Sequence, residues 1–305
     1  MNSFSLKLTM SLGIFMLSTS IRAQDFQAGL PIGAVNQAGE RVELSSNVKV
    51  FGSFHFTESC TFDPERNLIL AMNRGNSGDT PDNDGYVSLV NPDGSVHTTK
   101  WIGATRDGLE LHDPIGSAIA GNVLYTADNG SRHVRSFDLS TGRPLAAVEI
   151  PGAGFINGIA GDGNGTAYLS DTPNHTLYKI TSDGEVVVFA EGAPLNRPNG
   201  VAMDNDGNIV IVNIGDNAVI TYDTSGRVVK EENAVEAGND GVVILPDGTK
   251  YVSSVRFGSV SKIDSRGAEI IASGIPSAAS MCYDSIQNQL VIPMNPNYSL
   301  AFIRL

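Results

Sequence analysis

The chain has 305 residues, of which 33 are Gly, and it carries 20 Lys and Arg against 33 Asp and Glu. Its length and its 41% of hydrophobic residues suffice for one large domain or two ordinary ones. A formal net charge of −13 argues against binding to nucleic acid or to an anionic membrane surface, because both require clustered cations. With only 17% charged residues and apolar segments throughout, the composition is that of a folded protein and not of a disordered one.

The N-terminus has the pattern of a secretory signal peptide. Lys7 precedes an apolar run over residues 8–17, and small residues follow up to Ala23. The run is too short to span a bilayer as a stable anchor. We therefore predict a signal peptide at 1–23 and one exported, soluble domain at 24–305, in the periplasm or outside the cell. Cleavage removes two cations and no acid, so the mature net charge is −15.

One phrase recurs six times in the rest of the chain: a small or acidic residue, a short apolar strand, a tight turn and a second apolar strand. A clear copy begins at Asn199, turns at residues 205–208 and continues through 209–212. Third and fourth short strands follow in each copy except the sixth, which ends after its third strand at 300–305. We call the residues that open the copies anchors; they are Glu58, Asp113, Asn157, Asn199, Asp240 and Ala279. They follow one another after 55, 44, 42, 41 and 39 residues.

Four short strands in each unit of about 40 residues are typical of the blades of a β-propeller. Gly and Asn at the reversals supply the positive φ that tight hairpin turns need. Because the sixth unit lacks a fourth strand, the N-terminal stretch Arg41-Val-Glu-Leu44 is expected to complete it. A β-sandwich also has many short strands, but it does not explain six copies in phase. The sequence predicts an all-β fold, a six-bladed propeller of four-stranded antiparallel blades closed by the N-terminal segment.

The propeller would bring the anchors together, because the first strand of every blade lines the central channel and all six begin at the same edge. Five of the six anchors carry a side-chain oxygen acceptor. Oxygen atoms crowded into a channel are costly unless a partner satisfies them, and a hard divalent cation does so. Ca²⁺ fits better than Zn²⁺, since no anchor is His or Cys. The alternative is that the Asn-Gly and Asp-Gly pairs are ordinary turn dipeptides.

The stretch Arg197-Pro-Asn-Gly-Val-Ala-Met-Asp-Asn-Asp-Gly207 resembles the senescence-marker-protein-30, gluconolactonase and luciferin-regenerating family. The resemblance extends over essentially the whole mature chain; paraoxonases, diisopropyl fluorophosphatases and NHL-repeat proteins are more distant. Family members hold a divalent metal with a Glu that opens blade one, an Asn in the Pro-Asn-Gly phrase and an Asp in the following blade. Glu58, Asn199 and Asp240 match these positions, and Asn157 matches an Asn that binds metal or contacts substrate in relatives.

Two positions depart from the family pattern. Glu58 is followed by Ser59 and Cys60, where the family often has Glu-Gly-Pro. Sugar-lactone members carry an Arg two residues before the Asn of blade three, and this chain has Phe155 there. The second departure argues against an aldonolactone as the substrate and leaves the metal site unaffected.

The resemblance implies metal-assisted hydrolysis of a lactone or related small ester, in which the cation polarises the carbonyl and a carboxylate activates water. Asp240 is the first candidate for the base. Asp113 is the alternative, because neighbouring carboxylates would raise its pKa. His55 and His112 lie near anchors, but both are expected to be packed or at the surface. The other function considered is that of a non-catalytic, NHL-like propeller that binds a ligand or protein partner, with a structural metal in its channel.

Cys60 and Cys282 lie on the first strands of blades one and six, which are neighbours in the ring. A disulfide that closes the ring and two buried free thiols are both compatible with this placement. The loops between the second and third strands would rim the same mouth and are expected to govern substrate choice. Candidate rim residues are Arg132, His175, Arg256, Phe257 and Tyr298.

Overall fold

The computed structural model describes residues 31–52, 54–76, 80–103 and 109–305. The predicted signal peptide at 1–23 lies outside the described residues. The described part of the chain consists of strands, turns and one short 3-10 helix at Asn295–Asn297. No helix in this part is long and apolar enough to cross a membrane.

Twenty-four of the strands form six four-stranded antiparallel sheets, and this confirms the predicted six-bladed propeller. Blade one contains β4 (Thr57–Asp63), β5 (Leu68–Asn73), β6 (Tyr86–Val90) and β7 (Val96–Gly103). Blade two contains β8 (Pro114–Ala120), β9 (Val123–Asp128), β10 (His133–Asp138) and β11 (Pro144–Glu149). Blade three contains β12 (Ile156–Gly161), β13 (Ala167–Asp171), β14 (Thr176–Ile180) and β15 (Val186–Glu191).

The other three blades follow the same order from the channel outward. Blade four contains β16 (Pro198–Met203), β17 (Ile209–Asn213), β18 (Ala218–Tyr222) and β19 (Val228–Asn233). Blade five contains β20 (Asn239–Ile244), β21 (Lys250–Ser254), β22 (Ser259–Asp264) and β23 (Gly267–Ala272). Blade six contains β24 (Cys282–Asp284), β25 (Gln289–Met294) and β26 (Ser299–Arg304), and it takes its outer strand from the N-terminal segment as β3 (Val48–Gly52).

The N-terminal segment therefore closes the ring as predicted, but the predicted closing strand at 41–44 was wrong. Strand β3 pairs antiparallel with β26, whereas β2 (Arg41–Val42) pairs with β1 (Ala34–Val35) in a separate hairpin. The physical reason lies in the burial pattern. The first and third residues of β3 are buried and the second is exposed, as an outer strand with one face on the core requires, whereas Arg41 is exposed.

Buried apolar side chains form six clusters, and each cluster lies between two neighbouring blades. Between blades two and three, for example, Ala127 and Val134 pack with Leu169 and Tyr178. The cluster between blades six and one has the same character. Every blade therefore buries apolar side chains against both of its neighbours, and the six clusters continue around the ring.

The cluster between blades six and one also contains a disulfide. It joins Cys60 to Cys282 across 222 residues of sequence, with the two Cα atoms 5.4 Å apart. Of the two arrangements that the sequence allowed, the structure has the disulfide and not the free thiols. The bond therefore links the first strands of the two blades at which the ring closes.

Candidate functional site at one mouth of the central channel

Local irregularities at the start of the first strands place the anchors at the channel mouth. The pairing register shifts between Ile156 and Ile159 in blade three, and between Pro198 and Val201 in blade four. Corresponding shifts occur at the start of the first strands of blades one, two and five. A bulge of this kind re-aims the side chain within it, and such bulges are common beside functional sites. The anchors thus leave the regular ladder at one edge of the ring.

The glycine after each Asn anchor allows neighbouring first strands to approach one another. A Cβ atom on Gly158 would lie 2.3 Å from the Asn199 carbonyl oxygen, and one on Gly200 would lie 2.4 Å from that of Asp240. Both glycines lie inside strands and neither has a positive φ. The turn-dipeptide interpretation is therefore wrong for these pairs, because the glycine serves close packing of the ring.

A serine on the second strand ties the anchor segments of adjacent blades together. The Gly158 N–H donates to Ser170 Oγ at 2.9 Å, and the Ser170 hydroxyl donates to the Asn199 carbonyl oxygen at 2.5 Å. Blade five repeats this arrangement with Ser253, which donates to the Ala279 carbonyl oxygen at 2.8 Å. The backbone that carries the anchors is consequently bonded across blade boundaries as well as within each sheet.

All four residues predicted as metal ligands line one cavity of about 400 Å³ at this mouth: Glu58, Asn157, Asn199 and Asp240. They are buried to between 2% and 6% exposure. The sixth anchor, Ala279, offers no side-chain oxygen, but Asn295 of blade six lines the same cavity. The structure thus brings the predicted ligands together and adds one more amide.

Three oxygen atoms of this cavity are buried and lack a hydrogen-bond donor within the described part of the chain: Asn199 Oδ1, Asp240 Oδ1 and Asn295 Oδ1. The amide nitrogens explain their orientation. Asn199 Nδ2 donates to Asp240 Oδ2 at 3.2 Å, and Asn295 Nδ2 donates to Glu58 Oε2. Buried oxygens that accept no hydrogen bond are unusual. Together these three oxygens form a set of ligand atoms that suits a hard cation such as Ca²⁺.

Amide oxygens would be indispensable to such a site. Within the described ranges there is no group of three or more His, Cys, Asp or Glu side chains that could hold a metal ion. The two carboxylates that line the cavity, Glu58 and Asp240, therefore need Asn partners to complete a coordination shell. Oxygen-only ligands of mixed charge are typical of Ca²⁺ and atypical of Zn²⁺.

The cavity carboxylates have perturbed proton affinities. Burial raises the pKa of Glu58 from 4.5 to about 7; nearby Arg74 opposes this rise and Asp113 adds to it. Burial also raises the pKa of Asp240; the charge of Glu58 adds to the rise and the Asn199 amide opposes it. In the absence of a cation, this pair therefore retains protons at a pH at which ordinary carboxylates are ionised.

Asp113, the alternative candidate for the base, lies outside the set of residues that line the cavity. Its Oδ1 accepts a hydrogen bond from Arg74 Nε at 2.6 Å, and its Oδ2 accepts from Arg74 Nη2 at 3.1 Å and from Asn129 at 3.2 Å. Its pKa is raised, as predicted, but burial is the main cause and Arg74 opposes it; the charge of Asp128 is a smaller contribution. A carboxylate held on both oxygens has little freedom to take a proton from water.

Arg74 is a residue that the anchor pattern did not reveal. It follows Asn73, the last residue of β5, and so lies at the same edge as the anchors. Its Nη1 lies 3.9 Å from Glu58 Oε2, and its guanidinium carbon lies 5.0 Å from the ring centroid of Phe56 and 6.0 Å from that of Phe155. Phe155 occupies the position at which the family resemblance led us to look for an Arg. It thus lies beside an Arg that blade one supplies.

The signal that would have identified this residue is its position directly after the second strand. Those positions form a second ring around the mouth, which comprises Arg74, Asn129, Thr172, Ile214, Val255 and Asn295. Four of these residues line the cavity, namely Thr172, Ile214, Val255 and Asn295. The second ring is polar in blades six, one, two and three and apolar in blades four and five.

The two histidines near anchors take structural positions. His112 Nδ1 accepts the Asn83 N–H at 2.8 Å, and the His55 ring stacks on Tyr298 with centroids 5.3 Å apart. Both rings lie outside the set of residues that line the cavity. Their placement agrees with the expectation that they are packed side chains.

Comparisons with known proteins agree with this architecture. A family model described as SMP-30/Gluconolactonase/LRE-like region matches residues 41–235. No curated protein sequence matches the chain.

Solved structures show the same fold at low sequence identity. A gluconolactonase from Xanthomonas campestris is 17% identical with a TM-score of 0.62, over 90% of this chain and 98% of the other. A protein of unknown function from Bacteroides thetaiotaomicron is 15% identical with a TM-score of 0.62, over 86% of this chain and 76% of the other. Virginiamycin B lyase from Staphylococcus aureus is 15% identical with a TM-score of 0.57, over 86% of this chain and 100% of the other.

Proposed function

The chain belongs to the SMP-30/gluconolactonase/LRE-like family, and we propose that it is an exported, Ca²⁺-dependent hydrolase of a lactone or related small ester. The observation that carries the proposal is a set of buried oxygens on Asn199, Asp240 and Asn295, beside Glu58 in one cavity, which no hydrogen-bond donor of the described residues reaches. Such a set costs folding free energy unless a ligand uses it, and a cation is the ligand that oxygen donors of mixed charge suit.

Glu58, Asn199, Asp240 and Asn295 would hold the cation, with Asn157 beside them. The Asn157 amide nitrogen donates to Thr172 Oγ1 at 3.4 Å, which leaves its Oδ1 as an acceptor for the cation or the substrate. When bound, Ca²⁺ supplies Lewis acidity that polarises a carbonyl and stabilises developing negative charge. The amide–carboxylate bonds described above orient the ligand oxygens before any substrate arrives.

Asp240 is the proposed general base. Within the described ranges its Oδ2 accepts the Asn199 amide and its Oδ1 has no donor, so Oδ1 is the oxygen that would either bind the cation or accept a proton from water. Without a cation, burial raises the pKa of this carboxyl well above its usual value, and a bound cation would oppose that rise and bring the pKa back toward the range in which general bases work at neutral pH. Asp113 is the weaker candidate, because Arg74 and Asn129 occupy both of its oxygens.

A panel of lactones and aryl esters, assayed with added Ca²⁺ and with chelator, tests the activity. We expect turnover of at least one lactone or aryl ester, lost on chelation and restored by Ca²⁺. The same assay separates an enzyme from a binding protein. Absence of metal-dependent turnover on every panel member would favour the non-catalytic propeller.

Calorimetry of Ca²⁺ binding tests the site independently of turnover. Asn199→Ala removes one of the three donor-less oxygens, and we expect it to weaken Ca²⁺ binding at least tenfold. The matched control is Asn164→Ala, since Asn164 is exposed in the turn between the first and second strands of blade three, away from the mouth. Equal affinities of wild type and Asn199→Ala would refute the metal site.

A further inference from the structure

The cavity at the mouth has two chemically different sides. Its polar side carries the carboxylates and amides of blades six, one, three, four and five, and we call this side the floor. Its side wall is apolar and consists of Phe155, Pro173, Ile214 and Val255, contributed by blades three to five. Phe155, Ile214 and Val255 are half-buried, so each presents apolar surface to the cavity at the edge of the ring.

Within this wall the polar group of Thr172 is already committed to the protein. Its hydroxyl donates to the Pro198 carbonyl oxygen at 2.8 Å and accepts the Asn157 amide at 3.4 Å. The other polar residue on this side is Arg197, whose side chain is exposed. A ligand hydroxyl placed against the wall would therefore lose its water partners and find few replacements.

The apolar character continues onto the rim. Phe257 lies two residues after Val255 in the loop between the second and third strands of blade five, and its side chain is 54% exposed. Tyr298, in the corresponding loop of blade six, is 46% exposed. Within the described ranges, these are the two aromatic residues among the exposed large apolar side chains, and both lie in loops at the edge of the ring that carries the anchors, outside the set of residues that line the cavity.

We infer that the natural substrate carries an apolar substituent, an alkyl chain or an aromatic ring, on the lactone or ester. This substituent would lie against Phe155, Ile214 and Val255 while the reacting carbonyl faces the polar floor. The inference rests on the proposed function and adds the substrate class. It makes polyhydroxylated lactones poorer substrates, because hydroxyls placed against Phe155, Ile214 and Val255 would lose water without gaining a partner from these side chains.

A homologous series of γ-lactones with alkyl substituents from methyl to hexyl tests the inference, with a polyhydroxylated aldonolactone as comparison. Each methylene buried against the wall is expected to raise kcat/KM about fourfold until the wall is covered. The hexyl lactone is then expected to exceed the aldonolactone by more than about 100-fold.

Val255→Thr identifies the surface responsible. It changes shape little and adds a hydroxyl to the wall, so the loss of kcat/KM is expected to grow with substituent length, to about tenfold for the hexyl lactone. Val229→Thr is the matched control, because Val229 is 54% exposed on an outer strand of blade four. A loss that is the same for all chain lengths, or the same in both variants, would contradict the assigned wall.

Binding of non-hydrolysable lactams, measured by calorimetry, separates this inference from the proposed function. If lactones are hydrolysed but the aldonolactone is as good a substrate as the hexyl compound, the inference fails and the hydrolase stands. If nothing is hydrolysed but the hexyl lactam binds more tightly than a polyhydroxylated lactam, the hydrolase fails and the apolar ligand class stands. Equal binding of the two lactams without turnover overturns both.

Discussion

Asp113 and Asp240 open equivalent strands in blades two and five, and both are almost fully buried, yet their surroundings differ. Asp113 is held by two hydrogen bonds from Arg74 and one from Asn129, so its charge is compensated within the protein. Asp240 has one amide partner and an oxygen that no donor reaches in the described part of the chain. The same position in the repeat thus stabilises the ring on one side of the mouth and remains available to a ligand on the other.

The difference comes from the neighbouring blade. The residue after the second strand of one blade contacts the anchor segment of the next, as Arg74 does with Asp113 and Asn295 does with Glu58. For Asp240 the residue at that position is Ile214, which has nothing to donate. For these two aspartates, the side chain supplied by the preceding blade therefore distinguishes the anchor that the protein satisfies from the one that it does not.

The largest expected effect is the loss of activity on substitution of Asp240, which distinguishes it from Asp113. Asp240→Asn should lower kcat/KM about 10²- to 10⁴-fold, because the amide cannot accept a proton from water. The free energy of unfolding should change little or rise, since a buried group with a raised pKa is replaced by a neutral one of the same shape. Steady-state kinetics and urea denaturation measure the two quantities. Retention of wild-type kcat/KM would exclude Asp240 as the base.

Asp113→Asn should have its main effect on stability. It removes the carboxylate that accepts two hydrogen bonds from Arg74 and leaves the half-buried guanidinium with the more distant Glu58, so we expect a loss of about 1–3 kcal/mol in the free energy of unfolding. Urea denaturation measures the loss. A change below about 0.5 kcal/mol, together with a loss of activity as large as that of Asp240→Asn, would reverse the roles assigned to the two aspartates.

Protonation of Glu58 should make the free energy of unfolding fall as the pH rises. Its pKa is raised from 4.5 to about 7, so the folded state holds a proton that the unfolded chain releases. Its stabilising contribution is fully present below about pH 4.5 and is lost as pH rises through about 7, with a total of about 3 kcal/mol. Urea denaturation in chelator from pH 4.5 to 8 should show this loss in wild type.

Glu58→Gln should remove this loss of stability between pH 4.5 and 8. The matched control is Glu65→Gln, which should show the same loss as wild type, because Glu65 is exposed in a turn at the opposite edge. Stability that rises with pH over this range in wild type would contradict the assignment.

The smallest expected effect tests whether the Thr172 hydroxyl in the cavity wall is available to a ligand. Thr172→Val removes two hydrogen bonds that lie within the protein, and we expect a loss of about 1 kcal/mol in the free energy of unfolding. Turnover of an alkyl-substituted lactone should persist, since the Thr172 hydroxyl is not offered to the ligand. A fall in kcat/KM larger than the change in stability explains would indicate that this hydroxyl contacts the substrate.

Sequence reasoning predicted the ring and the inner anchors because both follow from a period. The repeat spacing places Glu58, Asn157, Asn199 and Asp240 in phase, and the propeller geometry brings them together. The second ring has no such signature, since its six positions carry Arg, Asn, Thr, Ile, Val and Asn. The ion pair of Arg74 with Asp113 joins two blades, and no local pattern encodes a contact of that kind.

The ring-closing strand and the role of the Asn-Gly pairs could not be predicted from local sequence patterns, because each pattern fits two alternatives. Arg41–Val42 and Val48–Gly52 both offer short strands, and only the second presents alternate residues that pack on blade six. The Asn-Gly pairs have the composition of turns, but their glycines are needed because the next blade's carbonyl oxygen would lie too close to a Cβ. In both cases the deciding neighbour is distant in sequence.

The Cys60–Cys282 bond makes the protein a covalent macrocycle. All of blades two to five and most of blade one lie on the closed loop between the two cysteines, whereas blade six contributes only Cys282 to it. A protease that cuts this loop once leaves a single covalently connected molecule, which only a reducing agent separates into two fragments. The outer strand from the N-terminal segment lies outside the loop, so it can detach from blade six while the backbone circuit around the channel stays closed.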